Sequence, residues 1–481
     1  MIRDYLNASI NQYSERIAVE DSSKDWALTY AELRARANDL FFSLEPQSDW
    51  VLILYVDKSI QYYACMAACF LFEVDFCPVD PQTPVAKLLE ISLQFENATI
   101  LTDTSERFEH IAPLYPKVIQ FPEKKDDIHT RSKKPSNQRR QAPRYFIATS
   151  GSTGKPKIVS VPHDNTSDFV KWAVSFYKVD SHTRWSQFSS IGFDLSIVDF
   201  LTVLCGGGTL ISIASNIDRL RPGKTIQKAC ITHWHSVPSI IPYVLSETAE
   251  TTNCTLFSFC GEPLASANVE ELAKKFPRAR IVNTYGPTEG TLFCSFYEYE
   301  GPHAVSTDTI PIGKAIPGWN FILVPEQEGL RLVLVSKNIS SGYVGITSDK
   351  FKEIDFSGTI LRSFDTGDFF RLEDGELVFS HRQDGMVKVS GNRIDLGEIE
   401  AACQRNGLQN PIAFIDQGRI IVCSEGVEQP DDRVLREKLG TILPTYAIPS
   451  TFILQPSHPR TTNGKIDRLI VAQSNLREGS K

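Results

Sequence analysis

Apolar positions along this chain follow two periods that alternate for most of its length. In "TYAELRARANDLFFSL" the apolar residues recur at helical spacing, and the spacing predicts a helix with Thr29 as its N-cap. "WVLILYV" reads as a buried strand and "SIQYYACMAACFLF" as the helix after it. "ATILTD", "RWSQFSS", "GTLISI", "ACITHWHS", "CTLFSFCG" and "ARIVNTYG" are short apolar runs that end in polar or glycine turns. Such alternation predicts an α/β fold, in which ligands gather at the strand C-terminal ends. Gly261, Tyr285 and Gly286 fall at such ends. After Ile310 the texture changes to short strands, and Asp374-Gly375 inside "RLEDGELVF" predicts a type I′ hairpin turn. From about Asp384 strands and helices mix, with Gly407 as the stop of the helix in "GEIEAACQRNG". The charged, aperiodic segment Pro122 to Arg144 reads as an exposed connection.

At 481 residues the chain exceeds one ordinary core. A net charge of −8 argues against bulk nucleic-acid binding, while leaving room for a local basic site for a phosphorylated ligand. The ten cysteines form no C-x-x-C pair and several sit in apolar runs, so reduced thiols are expected rather than disulfides or a zinc site. The N-terminal segment has no apolar signal region, and no apolar run reaches the roughly 18 residues a membrane helix needs. A cytoplasmic protein is the expectation.

The stretch "TSGSTGKPK", Thr149 to Lys157, is almost entirely hydroxyl, glycine and lysine. Glycine lets backbone N–H groups approach an anion, hydroxyls add donors and lysine adds charge. It is not the common P-loop, because Gly151 and Gly154 stand too close and Pro156 follows Lys155. Alone, it reads more readily as an ordinary solvated linker. Five further segments change that reading: "FDLSIVDF", "NTYGPTEGT", "DTGDFFRL", "HRQDGMVKVSGNRIDLGEIE", and "LPTYAIP" with "RTTNGKIDR". With these six in order, the chain resembles the adenylate-forming superfamily of acyl-CoA synthetases, luciferases and non-ribosomal peptide synthetase adenylation domains over nearly its whole length. The "FCGEPL" and "NTYGPTEGT" segments most resemble the stand-alone D-alanine–carrier-protein ligase type.

The resemblance implies a large N-terminal adenylation core, residues 1–383, of mixed sheets sandwiched by helices plus a β-barrel-like part. A small mobile α+β subdomain, residues 384–481, would follow and carry the catalytic lysine. It implies ATP and Mg²⁺. Thr149, Ser150, Gly151, Ser152, Thr153, Gly154 and Lys157 would wrap the β- and γ-phosphates. Tyr285 would stack on adenine, with Gly261, Glu262, Thr284 and Gly286 nearby. Thr288 would offer a hydroxyl to phosphate and Glu289 a hard oxygen to Mg²⁺. Asp368 would accept from the ribose hydroxyls, and Arg382 would contact ribose or phosphate. Lys465 would bridge the attacking carboxylate and the α-phosphate as negative charge develops.

Asp194 separates amino-acid from fatty-acid activators, because a carboxylate there pairs with an α-ammonium group. The alternative is that Asp194 only caps the helix it precedes. Carried over, the pocket comprises Asp194, Leu195, Val198, Ser239, Ser258, Cys260, Thr284, Leu292 and Phe293. Bulky Leu292 and Phe293 shorten it, so a small uncharged amino acid is expected: D-alanine-like, with glycine, β-alanine, L-alanine and proline open. Ser258 and Phe293 depart from the D-alanine pattern. So do His381 before Arg382, where the family has glycine, and Asp365, where it has a basic residue; both bear on the hinge. No carrier attachment segment follows Lys465, so the phosphopantetheinylated carrier would be a separate protein. Rotation about Asp384 would exchange Lys465 for Lys388–Gly391 between the two half-reactions. An acyl- or aryl-CoA synthetase is the alternative.

Overall fold

The computed structural model describes residues 1–44, 50–121, 142–149, 156–247, 253–301, 307–383, 387–389, 392–416, 418–426, 431–460, 466 and 468–476. Its contacts form two compact units. One comprises Met1–Pro81, Ser92–Ala148 and Ile158–His381; the other comprises Gln82–Ile91, Thr149–Lys157 and Arg382–Lys481.

The larger unit is built on a nine-stranded sheet whose inner strands are parallel. Period-two alternation sends its side chains into two different cores. Trp185, Leu210, Leu256 and Val282 enter one cluster, while Ile211, Trp234, Phe257, Phe259 and Ile281 enter the other. Both faces are covered, which is why these strands read as nearly continuous apolar runs. The two faces differ in chemistry. Strand Leu256–Cys260 puts Phe257 and Phe259 on one side and Leu256, Ser258 and Cys260 on the other. On that second face Ser258 and Cys260 are smaller and more polar than the two phenylalanines of the first.

A seven-stranded sheet holds the strands Val51–Tyr55, Asp75–Pro78, Ala98–Thr102 and Val118–Gln120. A five-stranded sheet takes up most of the strands between Ile310 and Asp384, but they are not all short. The runs "TILRSFD" and "FFRLE" form one 15-residue strand, Thr359–Glu373, because Thr366–Asp368 continue the strand between them. The hairpin turn there has φ of 51° at Asp374 and 84° at Gly375, the two positive values a type I′ turn requires. The N-terminal cap also takes the expected form. Thr29 Oγ1 accepts from Glu32 N at 3.1 Å and Glu32 Oε2 accepts from Thr29 N at 2.9 Å, a reciprocal capping box on the helix Tyr30–Leu44.

Within the smaller unit, strands Gln409–Asp416, Arg419–Glu425 and Thr451–Gln455 form one sheet. Helices Leu396–Arg405 and Asp432–Gly440 pack Ile399, Cys403, Leu435 and Leu439 into one cluster with Val422 and Phe452. Gly407, at φ 101°, ends the first of these helices as its sequence position implied. The connection expected from Pro122 to Arg144 lies mostly outside the described residues. Arg144 itself already opens a strand, its N–H donating to Asp75 Oδ1 at 2.9 Å.

All ten cysteines remain thiols, and eight of them are buried. Burial pushes Cys77 and Cys254 up to about 12 and Cys294 well above the ordinary thiol value. A buried thiol that resists ionisation is inert, whereas Cys230 is exposed. Titration of the native protein with a thiol reagent at neutral pH should therefore show one fast site, Cys230, with the buried thiols reacting on denaturation. Rapid labelling of Cys77 or Cys294 in the folded state would contradict this packing.

Candidate active site

Strand Arg280–Tyr285 and strand Ser295–Glu298 pair antiparallel with Tyr285 opposite Ser295, so residues 286–294 form one hairpin loop. Cys294 N donates to Tyr285 O at 2.8 Å and closes its neck. The loop turns through Thr291 and Leu292, both in left-handed backbone at φ 54° and 68°. This conformation costs free energy in residues with a Cβ and persists only where surrounding contacts impose it. It brings the Leu292 carbonyl over Gly286, where a Cβ would stand 2.1 Å from that oxygen. Only glycine fits there.

This loop places the nucleotide candidates beside the pocket candidates. Tyr285 Oη donates to Asp368 Oδ2 at 2.6 Å, and its ring meets Phe370 edge-on at 5.5 Å. The proposed adenine plate and ribose acceptor are thus locked together, an arrangement that fixes both. Thr288 opens the short turn Thr288–Gly290, and Glu289 is fully buried. Tyr343 Oη donates to Glu289 Oε1 at 2.7 Å, and Ser340 N donates to the Glu289 carbonyl at 3.0 Å. Tyr343 was not legible as a site residue: an isolated tyrosine in "SGYVG" carries no motif. It stands opposite Val159 on the strand that returns from the glycine-rich loop. Thr149 Oγ1 donates to Lys157 O at 3.2 Å, so the two ends of that loop are pinned together. Gly261 has φ 96°, and Glu262 Oε2 accepts from Ser239 N at 2.9 Å, tying a nucleotide candidate to a pocket candidate.

On the acyl side, Leu195, Val198, Cys260, Leu292 and Phe293 share one apolar cluster. Ser258 and Tyr177 exchange a buried hydrogen bond at 3.0 Å, and burial holds the Tyr177 phenol well above its ordinary value. Thr284 Oγ1 donates to Phe259 O at 2.9 Å. Asp194 precedes the helix Leu195–Gly206 but makes no side-chain cap hydrogen bond, which disfavours capping as its role. Asp199 and His235, neither singled out in the sequence, form a fully buried pair at 2.5 Å behind Phe293.

The departures from the family pattern have local partners. Asp365 accepts from Arg331, and His381 stacks on Phe369 with ring centroids 4.8 Å apart. Arg382 ends strand Glu376–Arg382 and is half-buried. Ser150, Gly151, Ser152, Thr153, Gly154, Asp384 and Lys465 lie outside the described residues.

A model of the AMP-binding enzyme family matches residues 6–343. The chain belongs to that family. It is 28% identical to the D-alanine–D-alanyl carrier protein ligase of Bacillus licheniformis over 92% of this chain and 93% of the relative. It is 30% identical to the ligase of the same name from Listeria welshimeri, covering 68% and 69%. Among solved structures it resembles the Vibrio cholerae adenylation domain AlmE in complex with glycyl-adenosine-5′-phosphate. The TM-score is 0.81 and the identity 21%, over 99% of this chain and 98% of that one. At that identity the likeness establishes the fold. No helix among the described residues is long and apolar enough to cross a membrane.

The hairpin makes one sharp demand. Gly286→Ala should lower the melting temperature by several degrees and abolish ATP-dependent turnover, since the new Cβ meets backbone rather than a movable side chain. Differential scanning fluorimetry with an AMP-release assay reads both; full activity with unchanged melting would show that the loop can open at no cost.

Proposed function

We propose that this AMP-binding enzyme activates a small uncharged amino acid, D-alanine first among the candidates. It then passes the acyl group to the phosphopantetheine thiol of a separate carrier protein. The observation that carries the reading is the hairpin 286–294. It carries Glu289, which Tyr343 hydrogen-bonds, and follows directly on Tyr285, which is bonded to Asp368; its Leu292 and Phe293 belong to the same apolar core as Leu195, the residue after Asp194. The names of the relatives support D-alanine and a carrier protein. Glycine, β-alanine, L-alanine and proline remain in the panel.

In the first step a substrate carboxylate oxygen attacks the α-phosphorus of ATP. The new P–O bond forms as the α–β phosphoanhydride breaks, giving aminoacyl-AMP and pyrophosphate. In the second, the carrier thiol gives up its proton and attacks the acyl carbonyl, and AMP leaves as the thioester forms. Asp368 orients the ribose, Tyr285 the base, and the Thr149–Lys157 loop the leaving pyrophosphate. Lys465 stabilises the charge that develops between carboxylate and α-phosphate. Asp194 receives the substrate ammonium. Residues 384–481 act as the mobile part, turning about Asp384 between the steps and bringing Lys388–Gly391 to the thiol.

Mg²⁺ fits the donor set. Glu289 carries the hard carboxylate oxygens this cation prefers, one of them accepting from Tyr343. Such a site would hold the ion through Glu289 and substrate phosphate oxygens, the usual pattern for this cation, which neutralises phosphate charge when bound. An ATP-dependent enzyme with ten thiols suits the reducing cytoplasm.

A pyrophosphate-exchange panel of D- and L-amino acids, glycine, β-alanine and graded carboxylic acids tests the substrate. A carrier protein and CoA offered side by side test the acceptor. Exchange with small amino acids and transfer to the carrier are expected; exchange confined to fatty or aryl acids would replace this reading with a CoA synthetase. Lys465→Ala should lower the adenylation rate about 10²–10³-fold while calorimetric ATP binding survives. An unchanged rate would remove Lys465 from the chemistry. Asp194→Ala should depress exchange with every amino acid, because the ammonium is common to all; retained activity with the best substrate would argue against amino-acid activation.

A further inference from the structure

We propose that the buried His235–Asp199 pair is a positioning device that sets the depth of the acyl pocket by holding Phe293 in place. This rests on reading that pocket as the acyl site.

Both side chains are fully excluded from solvent. His235 Nδ1 stands 2.5 Å from Asp199 Oδ1, and the Trp185 indole Nε1 donates to the same oxygen at 2.8 Å. A carboxylate accepts only, so Nδ1 carries the proton, and the bond fixes the plane of the imidazole. Asp199 Oδ2 and His235 Nε2 have no hydrogen-bond partner among the described residues. The pair is therefore anchored through one oxygen alone. Burying these groups is costly, and an apolar pair would fill the same space without that cost. What the polar pair adds is direction.

That direction has a target. Asp199 follows Val198 on the helix Leu195–Gly206, while His235 lies on strand His233–Ser236, opposite Ser258 in register. The bond thus staples the helix that begins after Asp194 to the sheet face bearing Ser258 and Cys260. The fixed imidazole meets the Phe293 ring edge-on, with centroids 5.6 Å apart and planes at 77°. Phe169 meets the same ring at 5.4 Å and 80°. Because Thr291 and Leu292 confine the backbone before Phe293, the side chain is the adjustable part of this wall. Taking away the imidazole frees it to swing toward the sheet and lengthens the pocket.

The test compares kcat/KM in pyrophosphate exchange across amino acids and plain carboxylic acids of graded length, so that it reads pocket depth whichever acid class the enzyme activates. His235→Ala should lower the preference for short over long acids by about ten- to a hundredfold, the range a methylene or two commands in an apolar pocket. The change should fall on KM for the short acids, with KM for ATP unaltered. His235→Asn, which retains a donor near the Nδ1 position, should restore most of the preference. In a Phe293→Ala background, His235→Ala should add nothing. An unaltered length preference in folded His235→Ala would overturn the proposal, as would an equal effect with Phe293 already removed. Should His235→Ala not fold, Asp199→Asn takes its place: it weakens the bond without emptying space, and an unchanged preference there overturns the proposal equally. Failure of the amino-acid reading shows separately, as a wild-type enzyme active only on plain acids.

Discussion

The absence of a side chain at residue 286 is the constraint on which the centre of this enzyme rests. With a Cβ there, the Leu292 carbonyl could not lie where it does, and the loop could not return to pair Cys294 with Tyr285. The left-handed backbone at Thr291 and Leu292 stores strain that the flanking strand pair and the buried Leu292 and Phe293 side chains offset. One nine-residue connection thereby carries the buried Glu289 carboxylate, the Thr288 hydroxyl and the buried Leu292 and Phe293 side chains. A loop of ordinary geometry would present these groups in succession along its length rather than around one point.

The second organising feature is the unequal dressing of the nine-stranded sheet. Its far face is filled by Trp234, Phe257, Phe259 and Ile281, an apolar layer close-packed in the manner of a protein interior. The near face carries His235, Ser258, Cys260 and Thr284, whose polar groups are met by Asp199, Tyr177 and the Phe259 carbonyl. Most polar side chains in a protein core have such partners.

Departures from the family pattern also make physical sense once partners are visible. An acidic residue at Asp365 in place of a basic one is accommodated by Arg331 on the neighbouring strand. His381 in place of glycine lies flat on Phe369, at an angle of 4° between planes. Each substitution is compensated by a neighbour distant in sequence, and neither compensation is legible from the motif alone.

Periodicity and turn chemistry in the sequence determined the α/β class, the Thr29–Glu32 cap, the Asp374-Gly375 turn and the helix stop at Gly407, because these depend on residues within a few positions of one another. The motif order determined the family for the same reason: each motif is local. What only the tertiary structure decided are contacts between distant segments. Tyr343 on Glu289, Tyr285 on Asp368, Glu262 on Ser239 and His235 on Asp199 span 23 to 83 positions. No local pattern encodes such pairs. They arise when strand register and helix packing bring two side chains to one place, and chain-wide packing decides which pairs meet.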